Sequence, residues 1–191
     1  MTNEIIVLCG PSACGKDTVA RFLEKYCGYN FVISTTTRPI RPGESQGNPY
    51  HFVKNNIFEN LINNGELIEY RKYETLVDNK PDTWYYGVEN AEIKPDNKYI
   101  CVLDTVGLKE FKNKFGDRVV SFYLNVDADI RKKRCQLRGD FNESEWDRRL
   151  ADDKIRFSIE IIEELIDFFI EADKDTELIV DEINYHLLNH C

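Results

Sequence analysis

The chain has 191 residues, 42% of them hydrophobic and 31% charged, with a formal charge of -9 at neutral pH. That make-up suits one soluble globular domain with a sizeable core, and the acidic balance excludes broad, nonspecific binding to nucleic acid, which needs surplus Lys and Arg. There is no membrane-length apolar run, Glu4 stands where a secretory leader would be basic, and the six cysteines show no Cys-x-x-Cys spacing, so a reducing cytosol is expected, without disulfides or a zinc site.

In chain order, a buried strand is predicted near Glu4 to Cys9, a helix from Lys16 to Tyr26, and a short strand ending near Ser34, the start of a β-α-β unit. Between Tyr50 and Val88 the texture changes to short aromatic strands, YHFV, ELIEYRKY and WYYGV, around a helical NNIFENLINN. This predicts a small inserted lobe. Apolar runs at Tyr99 to Leu103 and Val119 to Val126 read as buried strands separated by a helical GLKEFKNKFG, and Phe168 to Glu171 reads as a last strand before a helix over Thr176 to Leu188. The fold class expected is α/β, a parallel sheet with helices on both faces.

The segment GPSACGKDT, Gly10 to Thr18, places Gly, four residues and Gly-Lys between a strand and a helix. That is the context in which such spacing means a phosphate-binding loop. Gly10 and Gly15 permit backbone conformations that turn amides toward an anion, the opening helix adds its positive end, and Lys16 reaches the β- and γ-phosphates. The ATP-binding set expected is therefore Gly10, Pro11, Ser12, Ala13, Cys14, Gly15, Lys16, Asp17 and Thr18. Many such loops follow the lysine with Ser or Thr for magnesium, whereas here Asp17 follows and Thr18 stands one place late. Either Asp17, through water, or Thr18 would serve Mg2+, a hard cation that prefers oxygen ligands and keeps several waters. Downstream, STTTRPIRPGESQGNPYHF, Ser34 to Phe52, offers Arg38, Arg41 and Tyr50 to a second phosphate.

With Ser34, Thr36, Thr37, Arg38, Arg41, Gly43, Glu44, Gly47, Tyr50, His51 and Phe52 in this order, the chain resembles the guanylate kinase family. The resemblance continues through Glu69, Tyr85 to Gly87, Val102 to Asp104 and the basic RKKRCQLRGDFNESEWDRRL. It implies a phosphate-loop core over about 1–33 and 98–191, a lobe for a nucleoside monophosphate over about 34–97, and a lid over about 134–149. It further implies that Ser34, Arg38, Arg41, Glu44, Tyr50, Glu69, Tyr86 and Asp104 bind GMP, with Ser34 and Glu69 facing the base. A carboxylate such as Glu69 accepts from both N1–H and the exocyclic amine of guanine, a donor pair that adenine lacks. Lys16 with Arg134, Arg138 and Arg149 is the expected catalytic set, positioned cations carrying most of a phosphoryl transfer. Arg131 and Arg148 read as a solvated basic helix face. Closure of the lid would exclude water, and Mg2+ would accompany ATP.

Departures from the family pattern fall at Val88, where Ser or Thr usually follows YYG; after Asp104, where two residues are missing; along YETLVDNKPDTW, which is longer than usual; and at Ala172, where an asparagine often contacts the ATP adenine. The loop is similar to that of some phage deoxynucleotide kinases, so a broader nucleoside monophosphate kinase is the alternative enzyme. A phosphopeptide-binding scaffold of the same fold is the non-enzyme alternative, opposed by retention of Lys16, Arg138 and Arg149. Small nucleotides are the partners expected, with neither nucleic acid nor membrane; oligomeric state has no signature. Cys14 and His51 read as packing residues.

Overall fold

A computed structural model of the chain describes residues 4–41, 43–77, 80–94, 97–137 and 141–189, with backbone alone at 75–77 and 80–81. It divides into two compact units, Met1–Phe31 with Lys98–Cys191, and Val32–Asn97. Among the described residues no helix is long and apolar enough to cross a membrane.

The larger unit is built on five parallel strands in the order β2-β7-β1-β8-β9: β1 (Ile5–Cys9), β2 (Asn30–Phe31), β7 (Tyr99–Val102), β8 (Val119–Asn125) and β9 (Phe168–Glu171). Every residue of β1 is fully buried, as a central strand covered on both faces must be. Ile6, Leu8, Ile100, Val120, Phe122, Leu124 and Ile170 share a core with Val19, Ala20 and Leu23 of α1 (Lys16–Cys27) and Ile179, Val180 and Ile183 of α7 (Thr176–Asn189). In the chain, α3 (Thr105–Phe115), with Leu108 and Phe111 buried, follows β7, and α4 (Ala128–Leu137), α5 (Glu143–Arg156) and α6 (Ile159–Leu165) follow β8. Asp104 starts α3, its carboxylate accepting from the Gly107 amide at 2.8 Å. Asn142 does the same for α5 through the Glu145 amide.

The smaller unit holds a four-stranded sheet in the order β4-β3-β6-β5, from β3 (Thr35–Thr36), β4 (His51–Phe52), β5 (Leu67–Val77) and β6 (Lys80–Glu89), with α2 (Asn55–Asn63) between. Two expectations are corrected. The strand ending near Ser34 is two strands in different sheets, β2 in the larger unit and β3 in the smaller. In the long YETLVDNKPDTW segment the residues up to Val77 and from Lys80 lie on antiparallel strands whose pairing runs from Leu67↔Glu89 out to Val77↔Lys80. Thr, Val and aromatic residues suit a pleated ribbon, so strands expected to be short carry on.

Phe58 is the buried residue of α2, stacked on Tyr85 with ring centroids 5.2 Å apart. Gly87 fits beneath it because a Cβ there would lie 2.7 Å from the Glu69 carbonyl oxygen and 3.0 Å from the Phe58 ring. Phe58→Ala is expected to cost about 3–5 kcal/mol. Amide exchange should accelerate along β5 and β6 while β1 and β8 keep their protection; uniform acceleration in both units would contradict this.

Candidate functional site

The phosphate loop leaves β1 at Gly10, where φ is +147 and an added Cβ would lie 2.8 Å from the Leu124 carbonyl oxygen. Only glycine allows the loop to pass that close to β8. Ala13 takes φ +63 and Gly15 +105, so Ala13 holds a left-handed conformation that costs an L-residue roughly 1–2 kcal/mol and persists only where neighbours over-determine it. Lys16 lies folded along the loop, its Nζ donating to the carbonyls of Gly10 at 2.7 Å and Pro11 at 3.0 Å. Asp17 and Thr18 are exposed in the first turn of α1, and Cys14 is buried.

Beside the loop a cavity of about 330 Å³ opens between Gly15 and Thr18, Arg134 and Leu137 of α4, and Ala172, Lys174 and Thr176 at the β9–α7 turn. Arg134 forms part of its wall, donating to the Cys14 carbonyl at 3.1 Å and weakly to that of Ala172 at 3.4 Å. Ala172, which the sequence singles out as a departure, is therefore a wall residue of this cavity. Arg149 is half-buried on α5 and paired with Glu145 at 2.7 Å. The Arg148 guanidinium, with desolvation opposing it and Arg149 assisting, pulls the Glu145 carboxyl down to about 2. Arg138, with Gly139, lies outside the described residues.

In the smaller unit Arg38 is 4% exposed, and its guanidinium meets Glu44 through two parallel bonds of 2.9 and 2.8 Å. Hydrogen bonding by Arg38 lowers the Glu44 pKa, and the same carboxylate accepts from the Arg41 amide at 2.8 Å. Arg38 lies over the Tyr50 and Phe52 rings, and Tyr50 meets Tyr86 edge-on at 5.7 Å. Arg41 is exposed. Ser34 is half-buried, its carbonyl accepting from the His51 amide. His51 also approaches Glu92 at 3.4 Å. Glu69 is 8% exposed and sits across the hairpin from buried Val88.

In each unit some residues beside these were not singled out in the sequence. Arg71 alternates with Glu69 on β5 and approaches its carboxylate at 3.3 Å, directly across from Tyr86; strand period two, applied from Glu69, points to it. Asp153 of α5 accepts from the Ser12 amide at 2.8 Å, a pairing across the whole chain with no local signal. Asp104, besides starting α3, pairs with Arg156 at 2.6 Å. Arg131 corrects an expectation outright: instead of lying on a solvated face it is 6% exposed, bonded to Val126 and Ser12 carbonyls and set over the Trp146 ring. Arg148, paired with Glu145 and Asp152, is exposed.

A glycine loop between the first strand of a parallel sheet and its helix, with a cavity alongside, defines a phosphate-loop nucleotide-binding fold. The guanylate kinase family model matches residues 2–113. The guanylate kinase of Latilactobacillus sakei is 32% identical over 160 residues, 80% of this chain and 75% of the relative. That of Trichodesmium erythraeum is 30% identical over 192 residues, 97% of each chain. The crystal structure of guanylate kinase from Anaplasma phagocytophilum superposes with a TM-score of 0.68 at 25% identity, covering 99% of this chain and 86% of that one. The chain belongs to the guanylate kinase family.

Proposed function

We propose that the chain transfers the γ-phosphoryl group of ATP to GMP, and to dGMP, giving ADP and the nucleoside diphosphate. The observation that carries this reading is the buried carboxylate of Glu69, held in the same unit as buried Arg38 and the Tyr50–Tyr86 pair. Phosphate donors and a carboxylate facing a purine edge are what recognition of a guanine monophosphate needs. Arg38, Arg41, Tyr50 and Tyr86 take the phosphate, Glu44 orients Arg38, and Ser34 and Glu69 face the base. Val88 leaves the floor opposite Glu69 apolar where family members usually offer a hydroxyl. Asp104, at the start of α3 in the larger unit, completes the proposed GMP-binding set.

ATP places its phosphates against the loop Gly10 to Thr18, on amides toward its helix end since Pro11 has none and that of Ser12 is engaged by Asp153, and its adenine enters the cavity walled by Arg134 and Ala172. As phosphates arrive, Lys16 exchanges the Gly10 and Pro11 carbonyls for β- and γ-oxygens. Arg134, Arg138 and Arg149 belong to a lid over about 134–149 that excludes water. A Mg2+ ion accompanying ATP draws most of its ligands from nucleotide phosphates and water. Asp17 or Thr18 would hold it, and when bound it supplies further neutralisation of the triphosphate. Transfer is by direct in-line attack of a GMP phosphate oxygen, the side chains positioning charge and taking no covalent part. Retention of configuration at a chiral γ-phosphorus would contradict this. A cytoplasmic location belongs to the same reading, in keeping with cysteines that show no paired spacing.

The test is ADP release with ATP and magnesium against GMP, dGMP, AMP, UMP, CMP and dTMP. Turnover confined to GMP and dGMP is expected. Broad turnover would favour the multi-substrate kinase, and none would favour the binding module.

A further inference from the structure

Ser12 is the residue of the phosphate loop whose polar groups are all engaged by distant side chains. Its amide donates to Asp153 Oδ2 at 2.8 Å and its hydroxyl to Asp153 Oδ1 at 3.3 Å, while its carbonyl accepts from Arg131 Nη1 at 3.1 Å. Asp153 and Arg131 meet each other at 3.3 Å, with side chains only 12% and 7% exposed. Arg131 is fixed in turn by the Val126 carbonyl at 3.1 Å and by the Trp146 ring. One residue of the loop is therefore gripped through its amide and its carbonyl by a largely buried ion pair carried on α4 and α5.

We propose that Asp153 and Arg131 form a charge-neutral clamp that sets the phosphate loop for ATP, with Asp153 as a positioning residue and Arg131 as its counter-charge. The proposal rests on the reading of Gly10 to Thr18 as the ATP site. Ala13, the next residue, holds φ +63. Such a conformation persists only where the surrounding structure enforces it, and the clamp at Ser12 with buried Cys14 on the other side supplies the enforcement. Electrostatics explain why the clamp is paired. A carboxylate against a loop that must receive a polyanion opposes the ligand, and a guanidinium in contact with it cancels that field while bonding the carbonyl of the same residue.

The pairing makes the two residues unequal in a way that packing alone would not. Asp153→Asn keeps shape and removes the negative charge; Arg131→Met leaves the carboxylate uncompensated beside the incoming phosphates. Calorimetric titration with ATP in the absence of GMP, alongside thermal midpoints, reads the difference. Wild type must first bind ATP; if it does not, the reading of the loop fails rather than the clamp. Asp153→Asn is expected to weaken binding by about threefold, and Arg131→Met by about thirtyfold, the larger loss because an uncompensated carboxylate then faces the phosphates. The double variant Arg131→Met/Asp153→Asn should bind about tenfold more tightly than Arg131→Met alone. Arg131→Lys, which keeps the charge and loses the fork, should remain within about threefold of wild type and serves if Arg131→Met does not fold. Equal ATP affinity in all variants despite lowered thermal midpoints would overturn the proposal, as would a double variant no better than Arg131→Met, or Arg131→Lys binding more weakly than Asp153→Asn.

Discussion

Replacing Lys16 with methionine is expected to lower turnover by about a thousandfold, equivalent to roughly 4 kcal/mol of transition-state stabilisation, with little change in thermal midpoint. Its ammonium is bound by the Gly10 and Pro11 carbonyls at 2.7 and 3.0 Å, both on the loop that it helps to form. Those carbonyls hold the cation ready without committing it to a carboxylate, so exchange for phosphate oxygens breaks no ion pair. Methionine preserves the apolar stem and removes only the charge that follows the γ-phosphoryl from donor to acceptor. The loss should fall on kcat more than on KM for ATP, because loop amides and the helix start still bind the ground state. Single-turnover kinetics with saturating ATP and GMP would measure it. Unchanged turnover would remove Lys16 from the catalytic electrostatics and leave the transfer to other cations.

The phosphate loop was legible in the sequence because its chemistry is local: two glycines, a lysine, the strand before and the helix after all lie within the reach of one turn. The core strands were equally legible, since β1 and β8 are apolar on both faces and need no partner's identity to be recognised. Arg131 was misread for the opposite reason. In a basic run such as RKKR each charge looks solvated, and only the approach of Asp153, Ser12 and the Val126 carbonyl gives one of them a reason to be buried. Burying a guanidinium is costly unless every side of it is matched, and those matches come from three separate places in the chain. The split of the strand near Ser34 was hidden similarly, because two-residue strands carry too few positions for a period to show.

Glu69→Gln is expected to lower kcat/KM for GMP by about a hundredfold or more while lowering that for AMP far less, so that discrimination between the bases collapses. A carboxylate at 8% exposure accepts from both N1–H and the exocyclic amine of guanine; glutamine keeps one acceptor and turns an N–H toward a donor. That mismatch leaves a buried polar group unmatched, a loss of the size that separates right from wrong substrates in pockets built to hydrogen-bond. Adenine offers an acceptor at N1, to which the new amide can donate. Arg71, 3.3 Å from the Glu69 carboxylate, loses a charged neighbour in the same substitution, so some stability is lost with it. The ratio of GMP to AMP turnover separates the two effects, because a general weakening of the smaller unit lowers both rates together. A ratio unchanged from wild type would mean that the base is read elsewhere on this sheet. With Val88 offering no hydroxyl opposite Glu69, the next place to look would be the guanidinium of Arg71, whose N–H donors suit the O6 and N7 acceptors of guanine.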